Sequence, residues 1–238
     1  MKKQLALALM LAIPAAYAAD HPAKLETDTQ KASYAAGFRF GSSLQRDASD
    51  LDADAIQKGF LDGFQKKTPA LPEDQQQQAI VNYQQTRMTA AVSKNADAAK
   101  KFFAENGKKT GVTTLPDGLQ YEVIKSGKGE SPKKTDRVKV HYHGTLLNGT
   151  VFDSSVQRGE PATFQVGEVI QGWVEALQKM KVGDKWKLYI PADLAYGNRG
   201  MGPIEPGSAL VFEVELLEIL APEEAKKAPA DAKAPDAK

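Results

Sequence analysis

The chain has 238 residues, 42% of them hydrophobic, enough for one sizeable core and a second, smaller unit. Its 31 Lys and Arg nearly balance its 30 Asp and Glu, so no basic field draws it to nucleic acid or anionic lipid. The absence of cysteine excludes disulfides, thiolate nucleophiles, iron–sulfur clusters and cysteine zinc sites together, and suits an oxidising compartment.

In chain order, Lys2 and Lys3, the apolar run Leu5 to Ile13, and Ala16-Tyr17-Ala18 form a basic region, a short hydrophobic region and a small-x-small cleavage site. This predicts a secretory signal over residues 1–18, removed after Ala18. The apolar run is too short to span a bilayer core of about 30 Å, and no Cys follows it for lipid attachment. Cleavage removes two Lys and leaves acidic residues one ahead. Nothing later is long and apolar enough for a membrane span. The expectation is a soluble exported protein, periplasmic in a Gram-negative host.

Residues 19–70 read as a helical unit. Tyr34, Phe38, Gly41 and Leu44 fall at helical spacing behind the candidate caps Thr27, Asp28 and Thr29. A second helix starts near Asp52, with Ile56, Phe60 and Phe64 on one face. Gly37 with Gly41, and Gly59 with Gly63, repeat a Gly-x-x-x-Gly spacing. Each helical Gly costs about 1 kcal/mol relative to Ala, so four of them suggest closely approaching backbones. Two such helices bury little alone, because a unit below about 40 residues seldom has enough core. A homodimer through residues 28–70 answers this; a helical pair folded back on its own long helix is the alternative.

From Pro72 no further Pro or Gly occurs until Gly107, which predicts one linker helix within residues 71–107, about 50 Å long. Its apolar residues, Ile80, Val81, Met88, Val92, Phe102 and Phe103, are sparse, so it reads as a largely solvated spacer.

Residues 112–220 change character. Leu119 to Ile124, Val138 to Leu146, Phe164, Trp186 to Ile190 and Ala209 to Leu220 read as strands, and Asn148-Gly149 as a hairpin turn. Val138, Val140 and Tyr142 alternate with Lys139, His141 and His143, giving one apolar and one solvated sheet face. A short helix near Gly172 to Gln178 packs on the sheet. The fold class is α+β: a C-terminal antiparallel twisted sheet wrapped on one short helix, preceded by an all-α N-terminal dimerisation domain and a long linker helix. The tail over residues 221–238, built of Ala, Pro, Lys, Asp and Glu, has little to bury and is expected to be disordered.

Aromatics recur at many separate points of this domain. Pointing inward, they would either fill a core or line a concave apolar pocket with few polar groups. Other chemistries find no support. His141 and His143 share a strand face, but no third ligand is near, so no metal is expected. No G-x-S-x-G and no phosphate-cradling Gly-rich loop occurs.

The order HYHGTLLNGTVFDSS (141–155), RGEPATFQV (158–166), VIQGW (169–173), VGDKWKLYIPADLAYG (182–197) and ALVFEVELLEI (209–219) resembles the FK506-binding-protein family of peptidyl-prolyl cis-trans isomerases. With the helical half and the junction GVTTLPDGLQYEVIKSGKG (111–129), the chain is similar to the exported, two-part subgroup of macrophage infectivity potentiator and FkpA proteins. The resemblance implies an isomerase of X-Pro bonds that assists folding of exported proteins, with no cofactor. A dimeric periplasmic chaperone, binding unfolded chains independently of isomerisation, is the alternative. Implied partners are proline-containing unfolded or partly folded polypeptides, a second copy of the chain, and ligands of the FK506 or rapamycin type. By the same resemblance the catalytic positions are Asp153, Tyr142 and Tyr196. The substrate-binding positions are Phe152, Phe164, Val169, Ile170, Trp173, Ile204 and Phe212, with Trp173 as the floor under the proline ring. Arg158 and Tyr142 are placed to hold Asp153. Ala162 stands where small members carry a pocket-edge aromatic, and Met201 and Glu205 lie at variable positions, so preference for the residue before proline is the least defined property.

Overall fold

The computed structural model describes residues 24–220; the predicted signal over 1–18 and the tail over 221–238 lie outside the described residues. The chain divides after Pro72 into two compact units.

The first unit is a helical pair. Helix α1 (Asp28–Asp47) starts with a capping box: the Thr27 hydroxyl accepts from the Gln30 N–H at 3.2 Å, and the Gln30 side chain accepts from the Thr27 N–H at 3.0 Å. Helix α2 (Ala53–Phe64) is capped by Asp52, whose carboxylate accepts from the Ala55 N–H at 2.7 Å. Phe40 meets Phe60 across the pair at a ring separation of 6.3 Å. The apolar face stays open nonetheless. No residue of α2 is buried, and Phe38 and Phe64 are 63% and 77% exposed. The close approach suggested by the four glycines does not occur within the pair: among the described residues nothing lies within 4 Å of where their Cβ atoms would stand.

The second unit begins with α3 (Glu73–Asn106), which Pro72 precedes and Gly107 follows, as the sequence predicts. The strands are β1 (Val112–Thr114), β2 (Gln120–Lys125), β3 (Arg137–Leu146), β4 (Val151–Ser154), β5 (Ala162–Gln165), β6 (Lys185–Ile190) and β7 (Leu210–Leu220). All pairings are antiparallel, in the order β1-β2-β6-β7-β3-β4, with β5 also paired to β3. The alternation of β3 is as read: Val138, Val140 and Tyr142 are buried, and Lys139, His141 and His143 are not. Leu210, Phe212, Val214 and Leu216 of β7 bury the same face. The opposite face carries cross-strand ion pairs, Lys185 with Glu213 at 3.2 Å and Lys125 with Glu215 at 3.5 Å. Helix α5 (Gln171–Lys179) lies on the apolar face. A Cβ at Gly172 would stand 2.5 Å from Ile190 Cγ2, so only glycine lets the helix approach β6 this closely.

Helix α3 departs from the spacer expectation. Ile80, Val81 and Met88 are exposed, but the second half is docked on the sheet. Phe102 meets Tyr189 at 5.6 Å, Gln120 donates to the Phe103 carbonyl at 2.9 Å, and the buried Asn106 amide donates to Gln120 at 3.0 Å. The apolar pattern is sparse because amide side chains carry much of this contact, and they supply no hydrophobic periodicity.

Candidate functional site

Trp173 is the centre of the site. The backbone turns at Ile170, whose carbonyl accepts from the Trp173 and Val174 N–H groups at 2.9 and 3.1 Å, and α5 presents the indole to the sheet. Three rings meet it edge-on: Tyr142 of β3 at 5.4 Å, Phe164 of β5 at 5.7 Å and Phe212 of β7 at 5.2 Å, with interplanar angles of 82°, 88° and 77°. This is the arrangement that aromatic quadrupoles favour. Phe152 of β4 stands edge-on to Phe212 at 5.4 Å. The indole N–H of Trp173 is buried and has no hydrogen-bond partner among the described residues.

These rings line a small cavity whose wall is formed by Tyr142, Phe152, Asp153, Phe164, Val169, Ile170, Trp173 and Phe212. Eight positions named from the sequence thus come together. Tyr196 and Ile204 do not join that lining. Ile204 is buried in the adjoining core and Tyr196 is half-buried against it.

The polar edge is held by a short helix. Asp153 sits on β4 opposite Gly144 of β3, next to a bulge. Ser154 caps α4 (Ser155–Arg158), accepting from the Gln157 N–H at 3.2 Å, and Gly159 ends it at φ 79°. That single turn brings Arg158 back over Tyr142, with its guanidinium carbon 5.5 Å from the ring centroid. Arg158 Nη1 donates to Asp153 Oδ1, the Tyr142 hydroxyl donates to Asp153 Oδ2, and Arg158 Nη2 donates to the Tyr142 hydroxyl at 2.8 Å. Burial, and then the hydrogen bond to Asp153, push the Tyr142 hydroxyl up to about 12. It therefore keeps its proton throughout the neutral range. The buried Ser155 hydroxyl accepts from the Tyr142 N–H at 2.8 Å and fixes the strand beneath it.

Gly144 is a further site residue that neither periodicity nor the resemblance singles out. A Cβ there would stand 2.7 Å from Phe152 Cζ and 2.8 Å from Phe212 Cε1, so the two walls close over this one position. Its only signal was a glycine inside a strand, which often marks close approach. Among the described residues no group of three or more metal-ligating side chains occurs, and no helix is long and apolar enough to cross a membrane.

The arrangement can hold an apolar ring against an indole floor while a satisfied, half-exposed polar network lines one side. It offers no activated nucleophile. The family model described as FKBP-type peptidyl-prolyl cis-trans isomerase matches residues 128–217, and that for the domain amino terminal to FKBP-type peptidyl-prolyl isomerase matches residues 29–123. The outer membrane protein MIP of Legionella longbeachae is 40% identical over 227 residues, covering 92% of this chain and 97% of that protein. The FKBP-type 22 kDa peptidyl-prolyl cis-trans isomerase of Escherichia coli is 48% identical over 209 residues, covering 82% and 97%. The crystal structure of FkpA from Escherichia coli aligns with a TM-score of 0.61 at 38% identity, covering 82% of this chain and 97% of that one. The chain belongs to the FKBP-type peptidyl-prolyl cis-trans isomerases, in the subgroup of the Mip and FkpA proteins.

Proposed function

We propose that this isomerase turns X-Pro bonds in the cavity floored by Trp173, acting on proline-containing unfolded or partly folded polypeptides. Rotation about such a bond crosses a barrier of about 18–20 kcal/mol, because the planar amide loses its resonance at the top. The twisted amide is less polar across C–N than the planar one, so leaving water for an apolar cavity penalises it less. Each ~1.4 kcal/mol of that difference is worth about a factor of ten in rate. The observation that carries the reading is a cavity with five aromatic rings in its wall whose one carboxylate, Asp153, is satisfied by both Arg158 and Tyr142. A satisfied carboxylate draws little water into the cavity. Tyr142 and Asp153 hold the polar edge, and Tyr196 donates its hydroxyl towards a substrate carbonyl from the adjoining loop. Ligands of the FK506 or rapamycin type occupy the same cavity.

The chain acts as a homodimer through residues 28–70. Support comes from the open apolar face of the helical pair, a concave surface whose lining includes Phe40, Leu44, Leu51, Ile56 and Phe60. The leader-like residues 1–18 and the absence of cysteine support export to the periplasm, with a helical dimerisation unit over 19–70, a linker helix over 71–107 and an isomerase domain over 112–220. The test is the isomerisation rate of a proline tetrapeptide by the mature protein, with and without FK506, beside Asp153→Leu. Turnover suppressed by both the drug and the substitution is expected. A folded protein without turnover, or turnover indifferent to both, would sink the assignment to this cavity.

A further inference from the structure

The loop between Gly197 and Gly207 carries Ile204 and follows Tyr196, and it is folded on itself. Met201 and Ile204 exchange backbone hydrogen bonds of 2.8 and 2.9 Å, and the Gly207 N–H donates to the Gly197 carbonyl at 2.9 Å. Gly197, Gly200, Gly202 and Gly207 all have positive φ, from 54° to 74°. A Cβ at Gly200 would stand 2.2 Å from the Ile204 carbonyl oxygen. Four glycines make such a loop costly to order, because each loses much conformational freedom on folding. An external tether that narrows its choices therefore has leverage.

Helix α3 supplies one. Asn95 Nδ2 lies 2.9 Å from the Pro206 carbonyl oxygen, 3.4 Å from Glu205 Oε2 and 3.4 Å from Ser208 Oγ. One turn earlier, Val92 lies against the loop's closing residue: a Cβ at Gly207 would stand 3.0 Å from Val92 Cα and 3.2 Å from its carbonyl oxygen. The join between Gly207 and Gly197 passes any shift at the tether directly to the residue after Tyr196.

We propose that Asn95 is a positioning residue for the isomerase: by holding Pro206 and Gly207 on α3 it fixes the loop bearing Ile204 and Tyr196, and so sets which residues before proline are accepted. The inference rests on the reading of Tyr196 and Ile204 as contributors to the substrate site. Nothing about the ring-lined floor depends on it. Losing the tether therefore alters the preference among substrates, rather than abolishing turnover.

The experiment measures kcat/KM of the full mature chain on tetrapeptides bearing Leu, Ala, Lys or Glu before proline. Asn95→Asp keeps the side-chain shape, removes the donor and sets a charge beside Glu205. It is expected to change the ratios among these substrates by about two- to tenfold, the range a single lost hydrogen bond commands, and to speed hydrogen exchange of amides 198–207. Adding Glu205→Gln, whose amide can donate to the new carboxylate, should restore the ratios in part. Gly207→Ala strikes the same contact from the loop side, adds the backbone strain of an alanine at φ 74°, and should shift them at least as far. Unchanged ratios in both Asn95→Asp and Gly207→Ala, each with parental near-ultraviolet circular dichroism, would overturn the proposal. Tyr196→Phe and Ile204→Ala separate the two readings. If they move the ratios while the tether variants do not, the tether alone fails; if neither set moves them, the role of the loop residues in the site fails as well.

Discussion

Gly144→Ala is the sharpest test of how the cavity walls are held. The added methyl would stand 2.7 and 2.9 Å from Phe152 Cζ and Cε2 and 2.8 Å from Phe212 Cε1, against 3.4 Å where ordinary contact begins. Phe212 has no room to yield, and Phe152, though partly exposed, is braced against it. Phe212 is 2% exposed and edge-on to Trp173, and Phe152 is edge-on to Phe212. Overpacking of this kind costs about 1–3 kcal/mol, while replacing a strand glycine returns about 0.5–1 kcal/mol. A net loss of up to about 2.5 kcal/mol remains, or a fall in Tm of up to roughly 10 °C for a unit of this size. The chemistry should suffer more than the stability, because both displaced rings line the cavity proposed to hold the substrate. Misplacement approaching 1 Å can cost about a hundredfold, so a drop of about tenfold in kcat/KM is expected at temperatures where the variant is fully folded. Calorimetry and the tetrapeptide assay measure the two effects separately. A variant that melts with the parent and turns over at the parental rate would refute the argument that β3 sets the separation of the walls.

Two further outcomes follow from the site and from the helical pair. The Tyr142 hydroxyl is raised to about 12 in the folded protein, from an ordinary value of 10. The folded state therefore binds this proton more tightly than the unfolded chain, and the associated stability is fully present below about pH 10 and lost between about 10 and 12. Burial raises the Tyr189 hydroxyl as well, so an ultraviolet phenolate titration should contain two late-ionising tyrosines, of which one vanishes in Tyr142→Phe; an unchanged late phase there would mean that Tyr142 is not one of the shifted groups. Phe64→Lys or Phe38→Lys places a charge on the open apolar face of α1 and α2. Light scattering should give half the parental mass with tetrapeptide turnover unchanged, and a parental mass in both variants would exclude this face from the proposed dimer.

The residues that formed the cavity were legible because they declare themselves by periodicity and by ring chemistry. Val138, Val140 and Tyr142 revealed the inner face of β3, the candidate cap Thr27 stands at the start of α1, and α2 begins directly after Asp52, near which its start is read. The bounds of α3 followed from Pro72 and Gly107. What stayed hidden was of another physical kind. β1, β4 and the full extent of β5 are three or four residues long, too short for alternation to register. Gly144 has no side chain to report the rings that crowd it. The docking of α3 uses Asn95 and Asn106, which in sequence resemble solvated helix surface, and Gln120, a polar residue at the start of β2. Tyr196 and Ile204 join the pocket by resemblance alone, and the cavity lining itself ends at the ring cluster.

The division between a rigid floor and a tethered loop follows from what the reaction demands. Stabilising a twisted amide over a planar one requires surfaces that do not relax onto the planar form, and relaxation is hardest where each ring is braced by others. Tyr142, Phe164 and Phe212 come from three different strands, yet all meet Trp173 edge-on within 5.2–5.7 Å, so moving one ring disturbs the other contacts of the indole. The polar side is braced in the same way: the Asp153 oxygens are bound by two different residues, and those two residues are bound to each other. Recognition of the residue before proline has no comparable need for rigidity, since it requires only that a loop favour some side chains over others. A glycine-rich loop anchored at Pro206 and Gly207 suits that task, and a packed ring cluster would not.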